Sequence, residues 1–260
     1  MFKNQSGERL GRKSDNMIKI GILPKTQINE KDNPYNDIYT FPNLISKRIY
    51  EIGAIPVGII LNDGKLDYNS LKMCDAFVIG GGKKIEPYFL ETINYAIQNN
   101  VPLLGICLGM QSLAVYSYIE TLLKESDKDL TTLNFWKKFK EIKEDNVKFL
   151  LPVENHYNEK ITRSNYPKNM HSIKLNKDSV LYDIYNKEEM NIVSIHRYEI
   201  NKYGKDVSIN CKFEDTIEGI EYIDKNLFVL GIQWHPELEE EHNVLFKRLV
   251  NEAQKRKLFE

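Results

Sequence analysis

This chain of 260 residues has few cysteines, a net charge close to zero and no long apolar runs. Its three cysteines, Cys74, Cys107 and Cys211, are an odd and sparse set, which argues against a disulfide framework and fits a reducing compartment. The balance of 36 basic and 37 acidic residues provides no basic field for nucleic acid and no polybasic segment for a membrane surface. No apolar run reaches the length of a transmembrane helix. We therefore expect a cytoplasmic protein that binds neither nucleic acid nor membrane.

The first 16 residues are polar and charged, and they lack the apolar core of a signal peptide. We interpret residues 1–16 as a flexible leader and expect the ordered protein to begin near Met17. The length suits one large α/β domain or two small ones. We interpret residues 17–260 as a single domain, in which the charged stretch 120–150 is a helical insertion.

Strand and helix patterns alternate in the first half of the chain. Strands are predicted at 17–23, 54–60, 75–82 and 101–106, and helices at 41–52, 68–74 and 86–99. The polar residues 24–40 are predicted to form a loop. Alternation with short connections indicates parallel strands with helices on both faces. In such sheets, ligands bind beyond the carboxyl ends of the strands.

The second half of the chain begins with helical patterns and continues with β-rich runs. Helices are predicted from Leu108 to about Leu123 and near 134–143, followed by an irregular loop at 151–170. The β-rich runs are HSIKL, NIVSIH, DVSINCKF, IEGIEYI and LFVLGIQW, and a final helix is predicted over 241–256. The predicted fold is an α/β protein with an open, mostly parallel central sheet, helices on both faces and a strand-rich C-terminal half.

The stretch LLGICLGMQ places a thiol, Cys107, between two glycines at the end of an apolar strand. A strand, then Gly-x-Cys-x-Gly, then a helix is the arrangement of a nucleophile elbow. Gly105 and Gly109 provide the room that a strained turn needs. A helix N-terminus favours the thiolate, and the backbone N–H of Leu108 can point at a developing oxyanion. The competing interpretation is a buried cysteine at a strand end, which is common.

A second candidate group lies near the C-terminus, where His235 follows the apolar strand in VLGIQWHPELEEEH. Pro236 favours an extended conformation at His235, and residues i and i+2 of an extended chain point to the same side. Glu237 can therefore accept a hydrogen bond from one ring nitrogen of His235 and leave the other for Cys107. By itself, a histidine at a strand end beside an unrelated glutamate would be the preferred interpretation.

GICLGMQ and GIQWHPE together resemble the class I glutamine amidotransferase-like superfamily, which has a flavodoxin-like fold. The resemblance implies that a thiolate attacks a γ-glutamyl amide and forms a thioester that water hydrolyses. By this resemblance, Cys107 is the nucleophile, His235 is the general acid and base, and Glu237 orients the imidazole.

The same resemblance implies further site residues. VIGGG matches the oxyanion loop of the superfamily, so Gly81 or Gly82 would provide an N–H beside that of Leu108. Gln111 matches a position near the bound glutamyl group.

IVSIHRYEIN matches the substrate-side segment of the superfamily and contains His196 and Arg197. A guanidinium there suits the α-carboxylate of a glutamyl group. The alternative, a solvated arginine at a strand end, stays open.

The second half of the chain resembles the γ-glutamyl-γ-aminobutyrate hydrolase group, a branch of the γ-glutamyl peptidases, whose members stand alone. Two positions depart from that group, since Lys83 replaces an acidic residue and Leu108 replaces an arginine. GICLGMQ and HRYEIN are closer to the glutaminase domains of synthetases, particularly that of CTP synthase.

The leading hypothesis is a γ-glutamyl hydrolase that acts on a small-molecule amine or peptide conjugate and needs no cofactor. The alternative is a glutaminase subunit that supplies ammonia to a partner synthetase, with the insertion at 120–150 as a docking surface. A homodimer is compatible with either hypothesis. A third hypothesis, a catalytically silent binding module on the same fold, conflicts with the intact Cys, His and Glu.

Three further histidines, His156, His171 and His242, are possible metal ligands. Their separations in sequence do not fit the short ligand spacing of common metal motifs. We therefore predict no metal site.

Overall fold

The computed structural model of the protein describes residues 17–27, 38–145, 148–154, 156, 162, 164–224 and 226–259. The predicted leader at 1–16 lies outside these residues. The strands are β1 (Lys19–Ile22), β2 (Lys25–Gln27), β3 (Ile38–Thr40), β4 (Ile55–Gly58), β5 (Ala76–Ile79), β6 (Leu103–Ile106), β7 (Leu150–Pro152), β8 (Met170–Leu175), β9 (Glu189–Val193), β10 (Tyr198–Ile200), β11 (Val207–Phe213), β12 (Thr216–Tyr222) and β13 (Val229–Ile232). The α-helices are α1 (Asn43–Glu51), α2 (Tyr68–Lys72), α3 (Pro87–Gln98), α4 (Leu108–Glu125), α5 (Thr132–Glu144), α6 (Val180–Tyr185) and α7 (Asn243–Leu258).

One nine-stranded sheet, in the order β4-β1-β5-β6-β13-β12-β11-β8-β9, organises the chain. The strands from β4 to β13 in this order pair in parallel, and those from β13 to β9 pair antiparallel. Most of the strand-rich C-terminal half, strands β8, β9, β11, β12 and β13, therefore belongs to the same sheet as the parallel strands. The predicted α/β fold class is confirmed.

Apolar side chains alternate between the two faces of the central strands, as the twofold period of a strand requires. On β5, Phe77 and Ile79 join one hydrophobic cluster, whereas Ala76 and Val78 join the other. Helices α2 to α5 contribute to the first cluster, and α1, α6 and α7 contribute to the second. The sheet is thus covered on both faces, as the sequence predicted.

The neighbouring parallel strands β5, β6 and β13 determine where the candidate site lies. Because they run in the same direction, their carboxyl ends meet at one edge of the sheet. Gly80–Gly82 follow β5, Cys107 follows β6 and His235 lies three residues after β13. The fold therefore assembles in space three motifs that are far apart in sequence.

Most predicted elements are present with shifts of one to three residues at their ends, but several short ones were missed. Strands β2 and β3 pair antiparallel at the two ends of the segment 24–40, for which the sequence predicts a loop. Residues 28–37 lie outside the described part of the chain. Strand β7, at the edge of the predicted loop 151–170, pairs with β10 in a separate two-stranded sheet. Each is a three-residue strand, too short to show a period in sequence.

The segment interpreted as an insertion, 120–150, contains the end of α4 and all of α5. The rings of Tyr116 and Phe135 stack with centroids 5.3 Å apart, so α5 packs directly on α4. Leu133, at the start of α5, is 77% exposed. Among the described residues, no helix combines the length and the apolar character that crossing a bilayer requires.

Candidate active site

Cys107 occupies a strained turn between β6 and α4. Its backbone angles, φ 53° and ψ −102°, are rare for any residue other than glycine. The N–H of Cys107 donates to the carbonyl oxygen of Ile232 at 2.7 Å, and the N–H of Gln111 donates to the carbonyl oxygen of Cys107 at 3.1 Å. These bonds fix the turn to the end of β13 and to the first turn of the helix.

The two glycines beside Cys107 allow a close approach between the helix and the sheet. A Cβ atom at Gly109 would collide with the carbonyl oxygen of Ile79 at the end of β5. A Cβ atom at Gly105 would lie 2.6 Å from the carbonyl carbon of Gly109. Side chains at either position would therefore push α4 away from the strands that place Cys107.

The His235 ring is in hydrogen-bond contact with Cys107 on one side and with Glu237 on the other. Nδ1 of His235 lies 2.8 Å from Oε1 of Glu237, and the Cys107 thiol contacts the same imidazole. Burial lowers the pKa of His235, but the Glu237 carboxylate and the Cys107 sulfur outweigh it and hold this pKa well above its usual value. The protonated form of the His235 imidazole is therefore favoured. The structure brings together the three residues predicted to form a triad.

A buried arginine that sequence reasoning missed supports the turn that carries Glu237. Nε of Arg48, on α1, donates to the carbonyl oxygen of Glu237 at 3.0 Å, and Arg48 is only 3% exposed. Its guanidinium also pairs with Glu51 at 2.8 Å. Since 189 residues separate Arg48 from Glu237, no local pattern in the sequence could indicate this contact.

The predicted oxyanion loop lies against the Cys107 turn. A Cβ atom at Gly81 would lie 2.8 Å from Cε1 of His235 and 3.5 Å from the Cβ of Cys107. A Cβ atom at Gly82 would lie 2.7 Å from Cδ2 of Leu108. The structure thus brings Gly81, Gly82 and Leu108 next to the thiol.

A cleft of about 680 Å³ opens above Cys107. We call the side lined by Cys107, Leu108 and Gln111 the floor of the cleft. The opposite side, lined by Leu150 and residues 195–198, is the cleft wall. Arg197 is exposed in this wall. The cleft is large enough for a glutamyl group with part of a conjugate attached.

The predicted substrate residues Gln111 and His196 lie at the cleft, but internal hydrogen bonds engage their side chains. Nε2 of Gln111 donates to the carbonyl oxygen of Tyr198 at 3.0 Å and to Oε1 of Gln233 at 3.2 Å. The ring of His196 is 1% exposed, with Nδ1 3.1 Å from the carbonyl oxygen of Tyr198 and Nε2 3.1 Å from Oε1 of Glu218. The structure places the His196 ring in a buried cluster and leaves only its backbone segment to shape the cleft.

Two groups of side chains could hold a metal ion: His156, His171 and Glu218, and Glu239, Glu241 and His242. The first group lies directly behind the cleft wall, around the His196 ring. Burial raises the pKa of Glu218, but contacts with His171 and His196 outweigh it and hold this pKa at about 2. The structure therefore assembles histidines that their sequence spacing did not connect.

A match to a known protein family shows which family this chain belongs to. The sequence profile of the Peptidase C26 family matches residues 90–237, more than half of the chain, and the match includes Cys107, His235 and Glu237. The chain belongs to the Peptidase C26 family. This result confirms the predicted membership of the class I glutamine amidotransferase-like superfamily.

Curated relatives of this C26 family member include a protein of similar length and several CTP synthases. A glutamine amidotransferase-like protein of Rickettsia prowazekii is 29% identical over 272 residues, which cover 89% of this chain and 96% of the relative. The CTP synthase of Mycoplasma capricolum is 32% identical over 205 residues, which cover 71% of this chain but 35% of that enzyme. The chain thus spans about a third of the length of the CTP synthases that it matches.

Solved structures share the fold of this C26 family member. The glutaminase domain of Trypanosoma brucei CTP synthase with bound acivicin superposes with a TM-score of 0.59 at 18% identity, covering 90% of this chain and 94% of that domain. A glutamine amidotransferase of Thermotoga maritima gives a TM-score of 0.53 at 14% identity, covering 92% of this chain and 85% of that protein. Membership of the C26 family and the similarity to these relatives identify this chain as a cysteine-dependent amide hydrolase of the glutamine amidotransferase-like type.

Iodoacetamide at pH 7 is expected to modify Cys107 of the native protein before the other two thiols, which are also free. Burial and the neighbouring Asp75 raise the pKa of Cys74 to about 11, and burial raises the pKa of Cys211. Cys107 instead lies at the N-terminus of α4 in contact with the His235 imidazole, a setting in which thiols react readily with alkylating agents. Peptide mass spectrometry over a time course measures the three rates separately.

In the same experiment, His235→Ala is expected to slow modification of Cys107 roughly tenfold, because an unpaired thiol is mostly protonated at this pH. His242→Gln removes a buried histidine elsewhere and should leave the rate unchanged. Modification of Cys74 or Cys211 as fast as Cys107 would contradict the assignment of the reactive thiol.

Proposed function

We propose that this chain is a free-standing γ-glutamyl hydrolase that cleaves the γ-glutamyl amide of a small amine or peptide conjugate. One observation carries the proposal: Cys107 sits on a strained turn at a helix N-terminus, in contact with the His235–Glu237 pair, on the floor of an open cleft. The full-length similarity to a glutamine amidotransferase-like protein supports a protein that acts without fused synthetase domains.

In the proposed reaction, the thiolate of Cys107 attacks the γ-carbonyl carbon of the substrate. The oxyanion accepts hydrogen bonds from the backbone N–H groups of Leu108 and of Gly81 or Gly82. The protonated His235 then donates its proton to the departing nitrogen as the C–N bond breaks, which leaves a γ-glutamyl thioester. His235 next takes a proton from water, the resulting hydroxide attacks the thioester, and glutamate leaves while Cys107 is restored.

Glu237 supports both half-reactions without exchanging a proton itself. Its carboxylate holds Nδ1 of His235 at 2.8 Å, which fixes the tautomer and stabilises the imidazolium. Arg48 acts one step further away, as a positioning residue that holds the backbone of Glu237.

The glutamyl side of the substrate is assigned to the cleft wall. Arg197 is exposed in this wall, where its planar guanidinium suits the α-carboxylate of a glutamyl group. We assign Gln111 a positioning role, because its amide N–H groups hold the carbonyl oxygen of Tyr198 and the side chain of Gln233. His196 supports the same wall through its hydrogen bond to the Tyr198 carbonyl oxygen.

The leaving-amine side is assigned to a second recess of about 470 Å³ that adjoins the cleft. Gly82, Lys83 and Leu108 line both spaces, so the recess begins next to the thiol. Lys25 and Lys84 add two further ammonium groups to its lining, and Glu86 adds one carboxylate, which pairs with Lys84 at 3.6 Å. The excess of positive charge at this end favours conjugates whose amine part carries a carboxylate.

The alternative function, a glutaminase subunit that passes ammonia to a partner synthetase, is supported by the similarity to CTP synthases. Such a partner would need a docking surface outside the cleft. The exposed Leu133 on α5 is available for that purpose. Both functions use the same thioester chemistry and differ in the leaving group.

A hydrolysis screen decides between the two functions. The protein is expected to release amine from γ-glutamyl conjugates with a higher kcat/KM than it shows for free glutamine. Cys107→Ala is expected to reduce turnover at least about 10³-fold, His235→Ala nearly as much and Glu237→Ala less, because members of such a unit act together. Released amine and glutamate are quantified by chromatography.

Cys74→Ala is the matched control for this screen, since it removes another buried thiol and should keep full activity. Substantial hydrolysis by Cys107→Ala would refute the assigned nucleophile. Preference for free glutamine, with a rate that rises when a synthetase is added, would favour the glutaminase function.

Lys83→Ala is expected to raise KM about two- to fivefold for conjugates whose amine carries a carboxylate, as for a solvent-exposed ion pair. Conjugates with a neutral amine should show no such change. Lys72→Ala is the matched control, because Lys72 is an exposed lysine on α2 that lines neither the cleft nor the recess. Equal effects of both substitutions on both kinds of conjugate would rule out this assignment of the recess.

A further inference from the structure

Behind the cleft wall, three histidine rings converge on one buried carboxylate that the proposed reaction does not use. Glu218 on β12 is fully buried. Its Oε1 lies 3.1 Å from Nε2 of His196, 3.3 Å from Nε2 of His171 and 3.6 Å from Nε2 of His156. These residues come from four separate segments of the chain.

Backbone carbonyl groups lie next to a ring nitrogen in two of these histidines. Nδ1 of His156 lies 2.7 Å from the carbonyl oxygen of Glu154, so this nitrogen must be the donor. In the neutral ring, Nε2 then presents a lone pair toward Glu218. His196 faces an acceptor at each nitrogen, the carbonyl oxygen of Tyr198 at Nδ1 and the carboxylate of Glu218 at Nε2.

Three buried atoms of the cluster make no well-aligned hydrogen bond among the described residues: Nε2 of His156, Nε2 of His171 and Oε2 of Glu218. Nε2 of His171 lies 3.3 Å from Oε1 of Glu218, but its angles fall outside hydrogen-bond geometry. Leaving such atoms unsatisfied in a protein interior is costly. Each of the three residues offers a ligand atom, and these atoms lie within 4.8 Å of one another. A cation between them would satisfy all three residues.

We propose that His156, His171 and Glu218 bind a divalent transition-metal ion of the zinc or ferrous class. Two imidazole nitrogens and one carboxylate oxygen form a donor set that both ions accept, at bond lengths near 2.0–2.2 Å for zinc. His196 donates a hydrogen bond to the ligand carboxylate and orients it. The carbonyl oxygen of Glu154 accepts a hydrogen bond from Nδ1 of His156 and orients that ring. The proposal replaces the prediction of no metal site, which rested on sequence spacing alone.

The surroundings of the cluster favour a fixed geometry. The ring of Phe213 stacks on His171 with centroids 4.0 Å apart and an angle of 6°, and it meets His156 edge-on at 5.4 Å. The N–H of His196 donates to the carbonyl oxygen of His156 at 3.1 Å. A bound ion would therefore join β8, β12 and the segment after β7 that contains His156. Through the hydrogen bond between His196 and His156, it would also hold the wall that carries Arg197.

The test measures metal binding without using activity. The full-length Cys107→Ala protein is stripped with chelator, dialysed and titrated with Zn²⁺ by calorimetry, and bound zinc is counted by elemental analysis. The substitution at Cys107 removes the reactive thiol as a competing zinc ligand. His171→Gln and His156→Gln are added singly to this protein, with folding checked by circular dichroism. His242→Gln is the matched control, since it removes a histidine from the other candidate group.

The expected result is one bound Zn²⁺ with a dissociation constant below about 1 μM. His171→Gln and His156→Gln should each weaken binding at least about tenfold, whereas His242→Gln should not. Anaerobic competition with Fe²⁺ distinguishes the two ions, and preferential binding of either supports the site. Zinc should also raise the unfolding temperature of the parent protein but not that of His171→Gln.

Absence of stoichiometric binding in the folded parent protein would overturn the proposal. Unchanged affinity in either folded cluster variant, or loss of binding only in His242→Gln, would overturn it as well. If one cluster variant does not fold, the other variant and the stoichiometry of the parent protein still test the proposed metal site. None of these results depends on whether the chain hydrolyses γ-glutamyl conjugates.

Discussion

The close approach of α4 to the carboxyl ends of β5 and β6 is the constraint on which the rest of the site depends. It holds Cys107 in a backbone conformation that costs energy, of order 1–3 kcal/mol for such a residue. The approach is possible because Gly109 has no side chain where the carbonyl oxygen of Ile79 passes. From this position the thiol faces both the His235 ring and the glycine loop after β5.

The sheet order explains why the remaining groups meet at this point. Strand β6 lies between β5 and β13, so the Cys107 turn has the glycine loop on one side and the His235 turn on the other. The His235 turn is held from outside by Arg48, whose side chain is buried against the backbone of Glu237. The reactive group is therefore positioned by the centre of the sheet, while the β7–β10 pair and residues 195–197 before β10 form the cleft wall.

Local sequence patterns predicted the parallel core and made Cys107 a candidate nucleophile. The roles of His235 and Glu237 followed only when GICLGMQ and GIQWHPE were taken together and compared with the superfamily. In each case the signal was short: an apolar strand ending at a glycine pair, or a histidine two residues before a glutamate. Patterns of this kind cannot reveal contacts between distant segments. Arg48 beside Glu237, and His156 and His171 around Glu218, depend on topology and have no sequence signal of their own. The three-residue strands β2, β3, β7 and β10 were missed because they are too short to show a period.

The central claim is that Cys107 carries the acyl group during turnover. The most direct measurement is rapid acid quenching of the protein during turnover of a γ-glutamyl conjugate, followed by peptide mass spectrometry. The account predicts a mass increase of one glutamyl group on the peptide that contains Cys107, formed as the amine is released and absent in Cys107→Ala. Amine release by the wild-type protein with the glutamyl group on another residue, or persistent release by Cys107→Ala, would contradict it.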